Sequence, residues 1–151
     1  MQVNDRTSSH ARLLPMTRTY QHLQSLPTFE ERFQYLKLDG KVGKETFGFD
    51  RYFNQKFYRS TEWEQIRNYV IARDQGCDLA IFDRQIIGRV YVHHMNPICL
   101  DDIKDVTDYL LNPEYLVCVS KETHDAIHYG DGSLLISTKL TERSPGDTKL
   151  W

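Results

Sequence analysis

Apolar positions recur at helical spacing in three stretches of the chain. Thr28-Phe29-Glu30-Glu31 has the form of a capping box, in which the Thr28 hydroxyl accepts from the N3 amide and Glu31 reaches back. Phe29, Phe33 and Leu36 then follow one helix face toward a stop at Gly40. A second box, Thr61-Glu62-Trp63-Glu64, leads into Trp63, Ile66 and Val70, an amphipathic helix ending near Asp74, before Gly76. Ser120 is a good N-cap for a third helix from Lys121 to about Tyr129, closed by Gly130. Between the second and third helices the period changes. Leu79 to Phe82 and Ile86 to Val92 are β-like runs separated by Asp83-Arg84-Gln85, which predicts a hairpin whose second strand runs into His93-His94 and is broken by Asn96-Pro97. Residues 98–114, with Asp101, Asp102, Asp105 and Asp108, read as a loop with one short helix, and Tyr115 to Val119 as a short apolar stretch. Residues 1 to about 19 lack periodicity and predict a loose arm, 40–58 predict a loop with irregular pieces, and 131–151 predict an extended tail.

Composition narrows the class. At 151 residues, with 40% apolar and 26% charged positions, the chain is expected to be one globular domain. A net charge of −2 excludes a strongly basic, histone-like coat. The N-terminal residues lack the apolar core of a signal peptide, and no stretch approaches the roughly 20 apolar residues of a membrane span. A soluble cytoplasmic protein with no membrane partner is the expectation. Cys77, Cys99 and Cys118 are too few and too scattered for a disulfide framework and read as core residues of a protein in a reducing compartment.

The histidines carry the chemistry, because four of the six lie between positions 93 and 128. His124 and His128 are one turn apart on a predicted helix, where both imidazoles can chelate one metal ion. Taken alone, such a pair is a weak signal, read more often as two solvated or core-edge histidines. His93 and His94 close a strand, and neighbouring strand residues point to opposite faces. At a strand end the backbone can splay them, so that one ligates while the other stays free beside the metal.

A hairpin ending in His-His, a loop, and a short helix with His-x-x-x-His form the ββα-metal layout. Residues 74–130 resemble the HNH endonuclease family, also called His-Me finger nucleases. The matching stretches are Arg73-Asp74-Gln75-Gly76-Cys77, Val92-His93-His94-Met95-Asn96-Pro97, and Leu116-Val117-Cys118 followed by Thr123-His124. The wider chain is similar to small HNH proteins of bacteriophages and prophages, through Thr46-Phe47-Gly48-Phe49, Ala126 to Asp131 and Gly146 to Trp151. The resemblance implies an α+β fold with three parts: an N-terminal arm and helical extension (1–60), a ββα-metal nuclease core (61–130) and an extended C-terminal tail (131–151).

For the residues, it implies His94 as general base and His93, His124 and His128 as ligands of one divalent ion. Three neutral imidazoles favour zinc, nickel, cobalt or manganese, with magnesium workable if water and substrate complete its shell. The implied activity is hydrolysis of DNA phosphodiesters, by nicking or double-strand cleavage, to 5′-phosphate and 3′-hydroxyl ends. The implied partners are double-stranded DNA and a phage packaging (terminase) complex, and the implied setting is the cytoplasm of a bacterial host.

Two features depart from the family pattern. Tyr115 stands where the family has its middle Asn, with Asn112 and Asn96 at the wrong spacing to replace it. The paired Cys-x-x-Cys motifs of many relatives are missing, so no structural zinc is expected. The Tyr115 substitution motivates an alternative, a weak or inactive DNA-binding or packaging-accessory module that keeps the fold. A further alternative is a metal hydrolase acting on something other than nucleic acid. For DNA contact the candidates are Arg51 and Lys56, in a stretch from Glu31 to Arg59 with seven basic and four acidic residues, and Arg84 and Arg89 on or beside the hairpin. An ordinary solvated face explains the same arginines and lysines equally well.

Overall fold

The structure, a computed structural model, describes residues 16–38 and 49–136. Its N-terminal pair of helices is set by side-chain caps. Thr19 accepts from the His22 amide at 3.2 Å to start α1 (Tyr20–Ser25), a turn and a half that buries Leu23. The predicted capping box starts α2 (Phe29–Leu36): Thr28 Oγ1 accepts from the Glu31 amide at 3.2 Å, and Glu31 Oε2 accepts from the Thr28 amide at 3.1 Å. The predicted loose arm lies outside the described residues up to 15. Its last residues are fastened, since Asn96 Oδ1 accepts from the Arg18 amide (2.7 Å) and Asn96 Nδ2 donates to the Arg18 carbonyl (2.9 Å).

The stretch expected to be a loop over 40–58 contains a helix instead, α3 (Phe49–Tyr58). Phe49, Phe53 and Phe57 recur every four residues, and Phe57 is buried against Trp63. The glycines just before them masked that period in the sequence. α4 (Thr61–Arg73) begins as expected, but Ser60 caps it in place of Thr61, with Ser60 Oγ accepting from the Trp63 amide at 3.2 Å.

The strands pair differently from the prediction. β1 (Cys77–Asp78) and β2 (Arg84–Gln85) form a minimal antiparallel pair, so the run from Leu79 to Phe82 lies in the connection between them. β3 (Tyr91–His94) pairs with the distant β4 (Leu116–Val119) in register His93↔Val117 and His94↔Leu116. Apolar side chains on both faces of β4 decide this, because all four of its residues are buried. The connection from β3 to β4 holds two short helices where one was expected, α5 (Leu100–Asp105) and α6 (Asp108–Leu111), then a 3-10 turn over Pro113–Tyr115. The short apolar stretch is β4, which leads through Ser120 into α7 (Lys121–Tyr129), the helix predicted there. The start of the expected extended tail is a 3-10 turn, Gly132–Leu135, and residues 137–151 lie outside the described residues.

The architecture is therefore α+β, with helices around two small antiparallel pairs. The β3–β4 ladder separates two apolar cores. Val117, Val119, Ala126 and Ile127 pack with α1 and α2 on one side. Leu116 and Cys118 pack with Trp63, Val70 and Leu110 on the other. Of the cysteines read as core residues, Cys118 is buried, Cys77 is half-buried, and Cys99 is exposed, capping α5 through Asp102. Among the described residues, no helix is long and apolar enough to cross a membrane.

Candidate metal centre

Two buried aspartates fix the elements that carry the histidines. Asp74 ends α4, pairs with Arg73 (Nε to Oδ1, 2.7 Å) and accepts from the Cys118 amide in β4 at 2.8 Å. Arg73 also donates to the Leu116 carbonyl at 2.7 Å, so the pair clamps the middle and start of β4. Asp78 accepts from the Ser120 hydroxyl (3.1 Å) and from the Thr123 hydroxyl, which sets the first turn of α7. Both carboxylates are 1% exposed, and these bonds satisfy them there. The far end of α7 is fixed by Gly130 at φ +65°, where an added Cβ would lie 2.5 Å from the Leu38 carbonyl oxygen.

Within this frame β3 and α7 bring three histidines together. The ligand atoms of His93, His124 and His128 lie within 4.8 Å of one another. Ring centroids are 4.3 Å apart for His124–His128, 5.0 Å for His93–His128 and 5.7 Å for His93–His124. Tetrahedral zinc with nitrogen ligands at about 2.1 Å needs them about 3.4 Å apart, closer than the outer limit of 4.8 Å found here. His93 supplies the sharper test of fit. It is 2% exposed, and its Nε2 is buried with no hydrogen-bond partner. Such an atom costs about 1–3 kcal/mol unless something binds it, and a metal ion would. Burial, then the neighbouring His128 and His124, push the His93 pKa well below the ordinary histidine value. Burial likewise lowers His124, and takes His128 down to about 4. All three rings are therefore neutral at pH 7, the form that ligates. The residues fit a metal ion. Among the described residues they form the one group of three or more His, Cys, Asp or Glu side chains with converging ligand atoms.

His94 sits on the other face of β3. Its ring stacks on Trp63 (5.1 Å between centroids, 21° between planes), with Tyr58 and Phe57 edge-on or tilted at 6.3 and 6.4 Å. Its Nε2 is 3.1 Å from the Leu110 carbonyl oxygen. A carbonyl only accepts, so Nε2 carries the proton and Nδ1 keeps the free lone pair. Burial lowers the pKa to about 4, with the Leu110 bond opposing weakly. The Leu110 carbonyl thus braces the ring. Asn96 ties down Arg18 instead, Asn112 caps the following 3-10 turn, and Tyr115 contributes its carbonyl to the Met95 amide at 3.0 Å. His94 and the three clustered histidines line one cavity of about 280 Å³, together with Asn54 and Cys99.

The expected DNA contacts are placed unevenly. Arg89 lies nearest the cluster, its guanidinium 5.2 Å over the Tyr91 ring, which stacks on His124 at 5.4 Å. Arg84 is exposed on β2 and covers Phe82. Lys56 is exposed on α3 and lines a groove toward Lys104 and Ile103 rather than the histidine cavity. Arg51 belongs to α3, and its side chain is outside the described residues. Sequence reasoning missed the Leu110 carbonyl, the stacking of Trp63 on His94, and Asp78. A backbone carbonyl leaves no residue-type signal, and Trp63 reads as a core position. Compared with known protein families, curated proteins and solved structures, the chain finds no match.

Proposed function

We propose that the protein is a metal-dependent DNA endonuclease of the HNH class, with β3, β4 and α7 as its ββα-metal core. The observation that carries this reading is the pairing of a three-histidine cluster with a fourth histidine whose free nitrogen is set by a backbone bond. His93, His124 and His128 hold one divalent ion, with zinc, nickel, cobalt and manganese favoured over magnesium. An ion held there would supply positive charge to offset that developing on the phosphate and on the leaving oxygen. His94 Nδ1 takes the proton of the attacking water, and Trp63 and Leu110 keep its ring from turning. Duplex DNA in a bacterial cytoplasm is the proposed substrate, with a phage packaging complex as the proposed setting.

One observation favours a second reading, a weak or inactive DNA-binding accessory module: Trp63, Tyr58 and Phe57 enclose His94, and such burial makes an imidazole a poorer base than an ordinary histidine. Plasmid cleavage with each of the five divalent ions, comparing wild type with His94→Ala, separates the two. An active enzyme loses about 10²- to 10⁴-fold in rate with the substitution. Equal cutting by both proteins refutes His94 as base, and no cutting with any ion while DNA is still bound selects the accessory module.

A further inference from the structure

We propose that the cleft between the start of α4 and the edge of β3 holds one unpaired DNA strand, its phosphates on Arg59, Arg67 and Arg89 and a base against Tyr58. The position of the cut relative to this strand rests on the endonuclease reading. The cleft has a volume of about 630 Å³ and reaches His124 at one end. It is lined by those three guanidinium groups and one carboxylate, Glu64, in a chain whose net charge is −2. Among the described residues, none of the three arginines has an ion-pair partner. Arg67 spends one Nη2 bond on the Val90 carbonyl at 3.3 Å, which aims the rest of its planar fork. Arg89 over Tyr91, and Tyr91 against His124, form a continuous stack from the cleft to the histidine cluster.

Arginines beside an exposed aromatic ring are what a single strand needs, because phosphates take the charge and an unpaired base takes the ring; Tyr58, 49% exposed, offers that ring, while Tyr91 already lies between Arg89 and His124. A duplex keeps its bases stacked inside and offers such a ring little. The volume also falls in the range of small-ligand sites, which suits a few nucleotides of one strand. The preferred site of action is therefore a frayed, displaced or single-stranded segment, in preference to intact B-form duplex.

The test is fluorescence anisotropy of the full chain in EDTA, with a labelled single-stranded oligonucleotide and the same sequence as duplex. Single strand should bind more tightly. The slope of log affinity against log salt should shrink by about 0.7 for each of Arg59→Gln, Arg67→Gln and Arg89→Gln. Tyr58→Ala should weaken single-strand binding roughly fivefold or more. If Arg67→Gln unfolds the protein, the exposed Arg59 and Arg89 decide the matter. Duplex bound as tightly as single strand, unchanged slopes, or no binding overturns the proposal. Because no metal is present, the result is separate from cleavage. A protein that cuts duplex with unchanged slopes loses only this proposal, while one that shows these slopes but never cuts loses only the endonuclease reading.

Discussion

The two faces of β3 treat neighbouring histidines in opposite ways. Toward α7, His93 meets two more imidazoles and keeps a buried nitrogen without a partner. Toward α4, His94 meets a wall of aromatic rings and has its Nε2 bond filled by Leu110. The sequence expectation was that a strand end would splay the pair. The ladder instead stays regular through His94↔Leu116, so alternation turns the two rings to opposite faces, although both still line the one cavity. One side is left under-satisfied and suited to a ligand, and the other is packed and suited to holding a ring still.

The largest effect is expected on the packed face. Trp63 is 6% exposed and touches Phe57, Tyr58 and His94. Trp63→Ala should cost about 3–5 kcal/mol in urea unfolding of the metal-free protein, the usual range for truncating a buried tryptophan. His128→Ala, on the open face, should cost less than half of that. Similar losses from both would mean that the aromatic wall is no better packed than the cluster, and the contrast between the faces would fail.

How far this contrast could be read from the sequence depends on whether local chemistry or distant packing sets each element. The box at Thr28, the Ser120 cap and the Gly130 stop are local, and they stand where they were expected. The spacing of His124 and His128 is local too, and it puts the two rings 4.3 Å apart. The partner of β3 is not local. Leu79 to Phe82 and Ile86 to Val92 are β-like apolar runs close in sequence, yet β4 wins because its four buried residues need covering on both faces. Nothing local could reveal that Asp74 and Asp78 reach across more than 40 positions to fasten β4 and α7. α3 was missed although phenylalanines recur every four residues in the sequence at 49, 53 and 57, because the glycines ahead of them weighted the reading toward loop.

Acid should distinguish the faces next. Burial holds His94 and His128 at about 4, below the ordinary value of 6.5, so the folded state resists protons that the unfolded chain accepts. Stability of the metal-free protein is therefore full above pH 6.5, falls as pH drops from about 6.5 to about 4, and levels off below that. The enclosed His94 should contribute up to about 3 kcal/mol of the fall. Unfolding titrations in EDTA should show a shallower slope in His94→Gln than in wild type. His128→Gln should flatten it less, since His128 is less deeply enclosed than His94. An unchanged slope in His94→Gln would show that its cage is open to water.

Metal addition sharpens the comparison from the other face. Zinc at 100 times its dissociation constant should stabilise the fold by about 2.7 kcal/mol, provided it binds only the folded chain. His93→Ala, His124→Ala and His128→Ala should each remove most of that gain, and calorimetric titration should show the matching loss of affinity. The loss should be steepest for His93, because its buried Nε2 has no other partner. His94→Ala should keep the full gain, since its Nε2 is engaged by Leu110 and its ring is stacked on Trp63. If His94→Ala loses zinc as badly as the cluster variants, the two faces share one ion and the separation of ligand from base is wrong.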